Sequence, residues 1–264
     1  DLIISDKLNH ASIIDGARLS EAEFIRYAHN DHVHLEKILS ENHDRNKIII
    51  TESVFSMDGD SADIAGLCEL KKKYNAMLYL DEAHSFGVYG SNGGGMASEL
   101  NLLSQIDILV ATFGKAAGGV GAFIYADKNI IDYLINKCRS FIYSTALPVV
   151  SINWNLFALG EIEKSQNRRN HLKHISNILR NRLNTAGLQT AGNSHIIPVF
   201  VGKSSDAVML SSFLENESIA AFAVRPPTVP VGSSRLRLSL SSAFTETEIE
   251  HAADKIIEAA GKIL

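Results

Sequence analysis

The sequence has little of what would tie a chain to a special environment. It carries two cysteines in 264 residues, too few for a disulfide framework and not at metal-site spacing. Cys68 and Cys138 lie in separate helical patterns and read as reduced, partly buried thiols, which suits a cytoplasmic location. No apolar run approaches the roughly 20 residues that cross a bilayer, and the chain from Asp1 onward shows no signal-peptide pattern. Charge of one sign is not in excess. The net charge of −5 gives no footprint for nucleic acid or an anionic membrane. Internal repeats and low-complexity tracts are absent. What is left is an ordinary globular composition, 45% hydrophobic and 21% charged, in a chain long enough for one large or two smaller domains.

Strand and helix patterns alternate from the first residue. Leu2-Ile3-Ile4, Ile48-Ile49-Ile50, Met77-Leu78-Tyr79-Leu80 and Ile108-Leu109-Val110-Ala111 read as buried strands, and residues 23–27 alternate as one. Asp31 is positioned to cap a helix carrying Leu35, Ile38 and Leu39, and Asp63 one carrying Ile64, Leu67, Leu70 and Tyr74. This rhythm predicts an α/β fold, a mostly parallel sheet with helices on both faces. A strand over residues 121–125 follows too closely for a helical crossover and is expected to be antiparallel. After Pro148 the texture changes to a long helical stretch over residues 151–185 and then shorter elements. Strands are expected at 195–201, 219–224 and 235–240, and a helix at 206–216. Thr245 and Glu248 open the final helix at capping-box spacing, with Ile249, Ala252, Ile256, Ala260 and Ile263 on one face. The expected division is a large domain over residues 1–160 and a small α+β domain over 161–264.

Two motifs stand out chemically. Asp81-Glu82-Ala83-His84 and Thr112-Phe113-Gly114-Lys115 each close an apolar strand, which brings a carboxylate and an amine to the ligand-collecting edge of one sheet. A carboxylate for a pyridinium proton and a lysine for a covalent link are what pyridoxal 5′-phosphate (PLP) requires. Asp-Glu-Ala-His also occurs in helicases, but no phosphate-loop motif precedes it here. A strand-end lysine is often merely solvated. Gly114 and the run Ala116-Ala117-Gly118-Gly119 instead permit close approach of a planar ligand, and a desolvated lysine gains nucleophilicity. His10, after the first strand, is a candidate for stacking on a ring. Ser56 is a candidate donor, although turn chemistry also explains it. The run from His29 to His34 contains three histidines, but His32 and His34 face different sides of a helix, so it reads as a capped helix start and no metal site is expected. In Arg235-Leu236-Arg237-Leu238-Ser239-Leu240 the leucines take the core face. The two arginines share the other, either solvated or poised for carboxylate capture.

Taken as a set, the motifs at residues 9–12, 27–31, 54–60, 81–84, 112–115, 141–145 and 225–240 resemble the α-oxoamine synthases, PLP-dependent acyltransferases of fold type I, over the whole chain. The segment Arg225-Pro226-Pro227-Thr228-Val229-Pro230 is most similar to the oxononanoate branch of biotin biosynthesis. The resemblance implies decarboxylative condensation of L-alanine with a pimeloyl thioester, carried by coenzyme A or an acyl carrier protein. By position, Lys115 would make the covalent link to PLP and serve as acid and base. Asp81 would hold the ring nitrogen protonated, His10 would stack on the ring, and Ser56 and His84 would bond its phenolic oxygen. Thr112 would bind the phosphate, with Ser144 or Thr145 reaching it from the second subunit of a homodimer with shared sites. Arg237 would grip the amino acid carboxylate, and Arg225 and Thr228 would line the acyl side. Glycine C-acetyltransferase and serine palmitoyltransferase chemistry are the alternatives within the family, a non-catalytic scaffold subunit or an inactive fragment the alternative outside it. The family's upstream glycine-rich segment is not in this sequence, so a sheet short of its first strands, or one whose missing strands a partner supplies, is expected.

Overall fold

Short β-branched and aliphatic runs, four of them ended by a polar residue, set the strands of the first sheet. The computed structural model describes residues 1–264. The strands are β1 (Leu2–Asp6), β2 (Glu23–Tyr27), β3 (Lys47–Glu52), β4 (Met77–Asp81), β5 (Ile108–Thr112) and β6 (Ala122–Ala126), in the spatial order β2-β1-β3-β4-β5-β6. The first five are parallel and β6 is antiparallel to β5, as the short connection requires. Leu2, Ile4, Leu78 and Leu80 are wholly buried, and each such side chain contributes about 1.5–3 kcal/mol relative to exposure.

The helices of this part are α1 (Ala11–Arg18), α2 (His32–Glu41), α3 (Ile64–Lys73), α4 (Met96–Glu99), α5 (Lys128–Lys137), α6 (Arg139–Ile142) and α7 (Val149–Lys164). The Asp31 carboxylate accepts the His34 N–H and the Asp63 carboxylate the Gly66 N–H, so both expected caps are in place. The His34 ring turns back to accept from the Ala28 N–H at 3.0 Å, while the His32 ring lies 3.7 Å from Asp63.

The chain forms two compact units, Asp1–Phe55 with Ala62–Gln166, and Ser56–Ser61 with Asn167–Leu264. In the second, α8 (Gln166–Thr185), whose first residue closes the first unit, leads to a three-stranded antiparallel sheet of β7 (Ile196–Gly202), β8 (Phe222–Val224) and β9 (Ser234–Ser239), ordered β7-β9-β8. Helices α9 (Ser204–Asn216) and α10 (Glu246–Ile263) complete it. Thr245 and Glu248 form the reciprocal capping box.

Several local expectations need correction. The helical stretch expected over 151–185 is two helices broken at Ser165, whose hydroxyl donates to the Glu161 carbonyl at 2.6 Å and competes with the helical ladder. Cys138 lies between α5 and α6, not within a helix. β8 is shorter than expected, and Leu240 falls beyond β9. On α10 the buried stripe includes Ala253 and Ala259, while Ala252 and Ile263 are only partly covered.

Candidate active site

Because β1 to β5 are parallel, the C-terminal ends of β1, β3, β4 and β5 lie along one edge of the sheet. Asp81 is the last residue of β4, and its carboxylate accepts the Ala83 N–H at 2.8 Å, an Asx-type turn that bends the chain off the strand. The next side chain, Glu82, points inward. It accepts from the Met96 and Ala97 N–H groups, each at 2.8 Å, and from the Ser85 hydroxyl. Ser85 in turn shares a hydrogen bond of 2.7 Å with Ser53, at the end of β3. Gly95, at φ 99°, abuts the Glu82 carboxyl where any Cβ would collide. Glycine there lets the backbone close on the anchor. The turn that presents Asp81 and half-buried His84 is thus held from below.

The β1 end is built as firmly. Buried Asp6 accepts from the Leu8 and Asn30 N–H groups at 2.8 and 3.0 Å, and its oxygen lies 2.9 Å from His29 Nδ1. Asn9 ties β1 to β3, donating to the Ser5 hydroxyl and the Ile50 carbonyl at 2.8 Å each, while its oxygen accepts the Glu52 N–H. The His10 N–H then donates to Glu52 Oε1 at 2.5 Å, and the exposed His10 ring caps α1 by accepting from Ser12.

These strand ends share one electrostatic neighbourhood. Burial pushes the Asp81 carboxyl above its ordinary range, opposed by the Ala83 N–H and the positive charges of Lys115 and His10. Burial, with Asp81 adding to it, pushes Glu52 up to about 8 against the His10 N–H and Lys115. Lys115 and His10, picked out separately from Asp81 in the sequence, therefore both bear on its charge.

Lys115 follows β5 on a loop fastened by small contacts. The Thr112 hydroxyl donates to the Gly121 carbonyl at 3.0 Å and accepts the Gly114 N–H at 3.1 Å. From α7, Trp154 donates to the Ala117 carbonyl and Asn155 to that of Val120, both at 3.0 Å. Lys115 is exposed, which corrects the expected desolvation: the flanking glycines and alanines provide no side chains to cover it. Thr112 is committed to its turn rather than pointing a spare proton outward. Ser144 and Thr145 are exposed, and the Ser144 hydroxyl donates to the Ser140 carbonyl.

In the second unit, the Arg237 Nε–H donates to the Ser56 carbonyl at 2.5 Å, and burial lowers the Arg237 pKa. Arg235 is not on a solvated face. It is buried over the Phe200 ring and bonded to Asp58, because Asp58 compensates its charge there. Arg225 and Thr228 are exposed and belong to one turn, the Thr228 N–H donating to the Arg225 carbonyl. Sequence reasoning missed Glu52, Ser53, Glu82 and Asp58. For Glu52 a signal existed, since it ends an apolar strand as Asp81 does.

Residues 1–256 match the profile of the aminotransferase class I and II family. The chain belongs to that family. Among curated aminotransferase-family relatives, the 8-amino-7-oxononanoate synthase of Chlorobaculum parvum is 46% identical over 255 residues, covering 96% of this chain and 65% of the relative. Among solved structures, the Sphingomonas wittichii serine palmitoyltransferase superimposes with a TM-score of 0.95 at 30% identity, covering all of this chain and 68% of that one. The 8-amino-7-oxononanoate synthase of Francisella tularensis superimposes at 0.86 with 31% identity, covering 99% and 76%. The fold is therefore that of the PLP-dependent transferases, and the chain spans about two-thirds of the length of the curated relatives it matches.

Proposed function

We propose that this chain carries the catalytic core of a PLP-dependent α-oxoamine synthase, an 8-amino-7-oxononanoate synthase that condenses L-alanine with a pimeloyl thioester in biotin formation. The observation that carries the reading is that Lys115 and His10 both act on the charge of Asp81 at one strand-end edge. A carboxyl pushed upward by burial calls for a cation beside it, and a protonated ring nitrogen is such a cation. The residues present thus fit the cofactor.

Bound PLP supplies an electron sink for the bond broken at the amino acid's α-carbon. Asp81 would keep a proton on the ring nitrogen. Lys115 Nζ, on a loop without bulky side chains, would hold the cofactor covalently and would serve as the acid and base for the α-carbon proton. His10 would lie against the ring, Ser56 and His84 would bond its phenolic oxygen, and Thr112, on giving up its bond to the Gly121 carbonyl, would bind the phosphate together with Ser144 or Thr145 from a second copy. The Arg237 guanidinium, already oriented by the Ser56 carbonyl, takes the substrate carboxylate, and Arg225 and Thr228 line the acyl side. The first compact unit, Asp1–Phe55 with Ala62–Gln166, would serve as the cofactor-binding domain, and the second, Ser56–Ser61 with Asn167–Leu264, as the small domain. A homodimer is supported by exposed Phe141, Tyr143, Val149, Val150, Leu156 and Phe157 along α6 and α7, since monomers rarely expose so much apolar surface. The free thiols of Cys68 and Cys138 support a cytoplasmic setting.

The larger overlap with serine palmitoyltransferase favours a second reading, condensation of serine with palmitoyl-CoA. Backbone overlap does not read an acyl chain, and the 46% identity weighs toward pimeloyl transfer. The test reconstitutes the chain with PLP and compares alanine plus pimeloyl thioester, serine plus palmitoyl-CoA, and glycine plus acetyl-CoA. Alanine and pimeloyl thioester should turn over fastest, and Lys115→Ala should abolish covalent capture of the cofactor by borohydride. Faster palmitoyl transfer, or labelling that survives Lys115→Ala, overturns the assignment.

A further inference from the structure

Glu52 has no part in the reading above, yet it sits where that reading is most sensitive. It is the register partner of Asp81 across the parallel β3–β4 pair, so both side chains leave the same face of the sheet from strands about 5 Å apart. Glu52 is 3% exposed. One of its oxygens already accepts the His10 N–H at 2.5 Å. The charged groups that bear on it are Asp81 from β4, Asp6 from β1 and Lys115 from the loop after β5, with the backbone N–H of His10 ahead of α1. Two carboxyl groups placed side by side in a buried edge do not both ionise near neutral pH.

We propose that Glu52 and Asp81 work as one carboxyl pair holding a single proton, and that Glu52 keeps it whenever a cation lies against Asp81, making Glu52 a positioning residue for His10 and the cofactor ring. A neutral Glu52 leaves Asp81 as the one negative charge facing the ring nitrogen. It also lets its bonded oxygen hold the β1–α1 elbow without drawing Lys115 or the cofactor cation toward β3. Once Glu52 ionises, a second negative charge competes for the same cations. The identity of the cation rests on the proposed function. The shared proton does not.

The test therefore has a cofactor-free arm. An infrared pH titration of the whole chain should lose a protonated-carboxyl stretch with a midpoint near 8, and Glu52→Gln should lack that band. In the second arm, the visible spectrum of the PLP-loaded chain should change over the same alkaline range in the wild type and stay flat in Glu52→Gln. That variant still accepts from His10 and should bind PLP within about threefold of wild type, whereas Glu52→Ala, with no acceptor, should bind at least about tenfold more weakly. A band that persists in Glu52→Gln, or a Glu52→Gln spectrum that follows the wild-type pH profile, overturns the proposal. If Glu52→Ala does not fold, Glu52→Gln still decides it. Failure of the wild type to take up PLP would refute the proposed function alone, with the infrared titration still settling the carboxyl pair.

Discussion

Replacing Glu82 with alanine tests whether the turn between Asp81 and His84 is held from below. The substitution removes the acceptor for two buried N–H groups, those of Met96 and Ala97, each bonded at 2.8 Å. Each orphaned donor costs about 1–3 kcal/mol. The Ser85 hydroxyl is a smaller loss, because it already lies 2.7 Å from Ser53 and can turn fully to it. Relief of the buried carboxylate's desolvation, which pushes its pKa upward, offsets part of the total. The net expectation is a loss of about 3–4 kcal/mol from the first unit. Glu82→Gln should fall between, at about 1–3 kcal/mol, because its amide sets one N–H donor against another. Trp154, the one tryptophan in the sequence, lies on α7 in the first unit, so its fluorescence during urea unfolding reports that unit. A Glu82→Ala loss below about 1 kcal/mol would refute the reasoning, and the turn would have to be held by the Asp81 and Ser53 backbone bonds alone.

Three further outcomes are expected. Arg237→Ala should weaken alanine binding to the loaded chain by at least about tenfold while leaving PLP uptake intact, and an unchanged alanine titration would remove Arg237 from its role. Asp58→Ala strands the buried Arg235 guanidinium and should destabilise the second unit by about 3–5 kcal/mol; near-wild-type circular-dichroism melting would contradict that. Glu52 is held up to about 8 in the folded chain but titrates near 4.3 when unfolded. Its neutral form thus binds a proton that the unfolded chain releases, and this contribution is lost progressively as pH rises from about 4.3 and is gone once it passes about 8. The Trp154 urea midpoint of wild type should fall more steeply than that of Glu52→Gln as pH rises from about 5 to about 8, and parallel curves over that range would exclude the effect.

The sheet was legible because its signals are local. β1, β3, β4 and β5 are apolar runs ended by polar residues, β6 follows too closely to be parallel, and Asp31, Asp63 and Thr245 announce the helices they cap. The break at Ser165 carries no proline or glycine to mark it; it arises from one hydroxyl turning on its own helix. Asp81 and Lys115 were legible as strand-end groups. The proximity of Glu52 to Asp81 was not, because strand order and register decide it rather than sequence spacing. Alternation left Arg235 either solvated or poised for a carboxylate, and its burial depends on Asp58, 177 positions away. The exposure of Lys115 depends on what lies over a glycine-rich loop, which no motif encodes.

The hexapeptide Ser56–Ser61 carries a consequence for how the chain is made. It is flanked on both sides by first-unit sequence, yet it packs with the second: Gly59 receives the Asn193 and Ser194 N–H groups, and Ser61 donates to Asn193, 132 residues downstream. On the ribosome the first unit has its strands in hand early, whereas the second cannot finish until this distant piece is recruited, a slow long-range closure. Severing the polypeptide after Gln166 would consequently yield no self-sufficient C-terminal half, and any attempt to produce that half separately must graft those six residues back on.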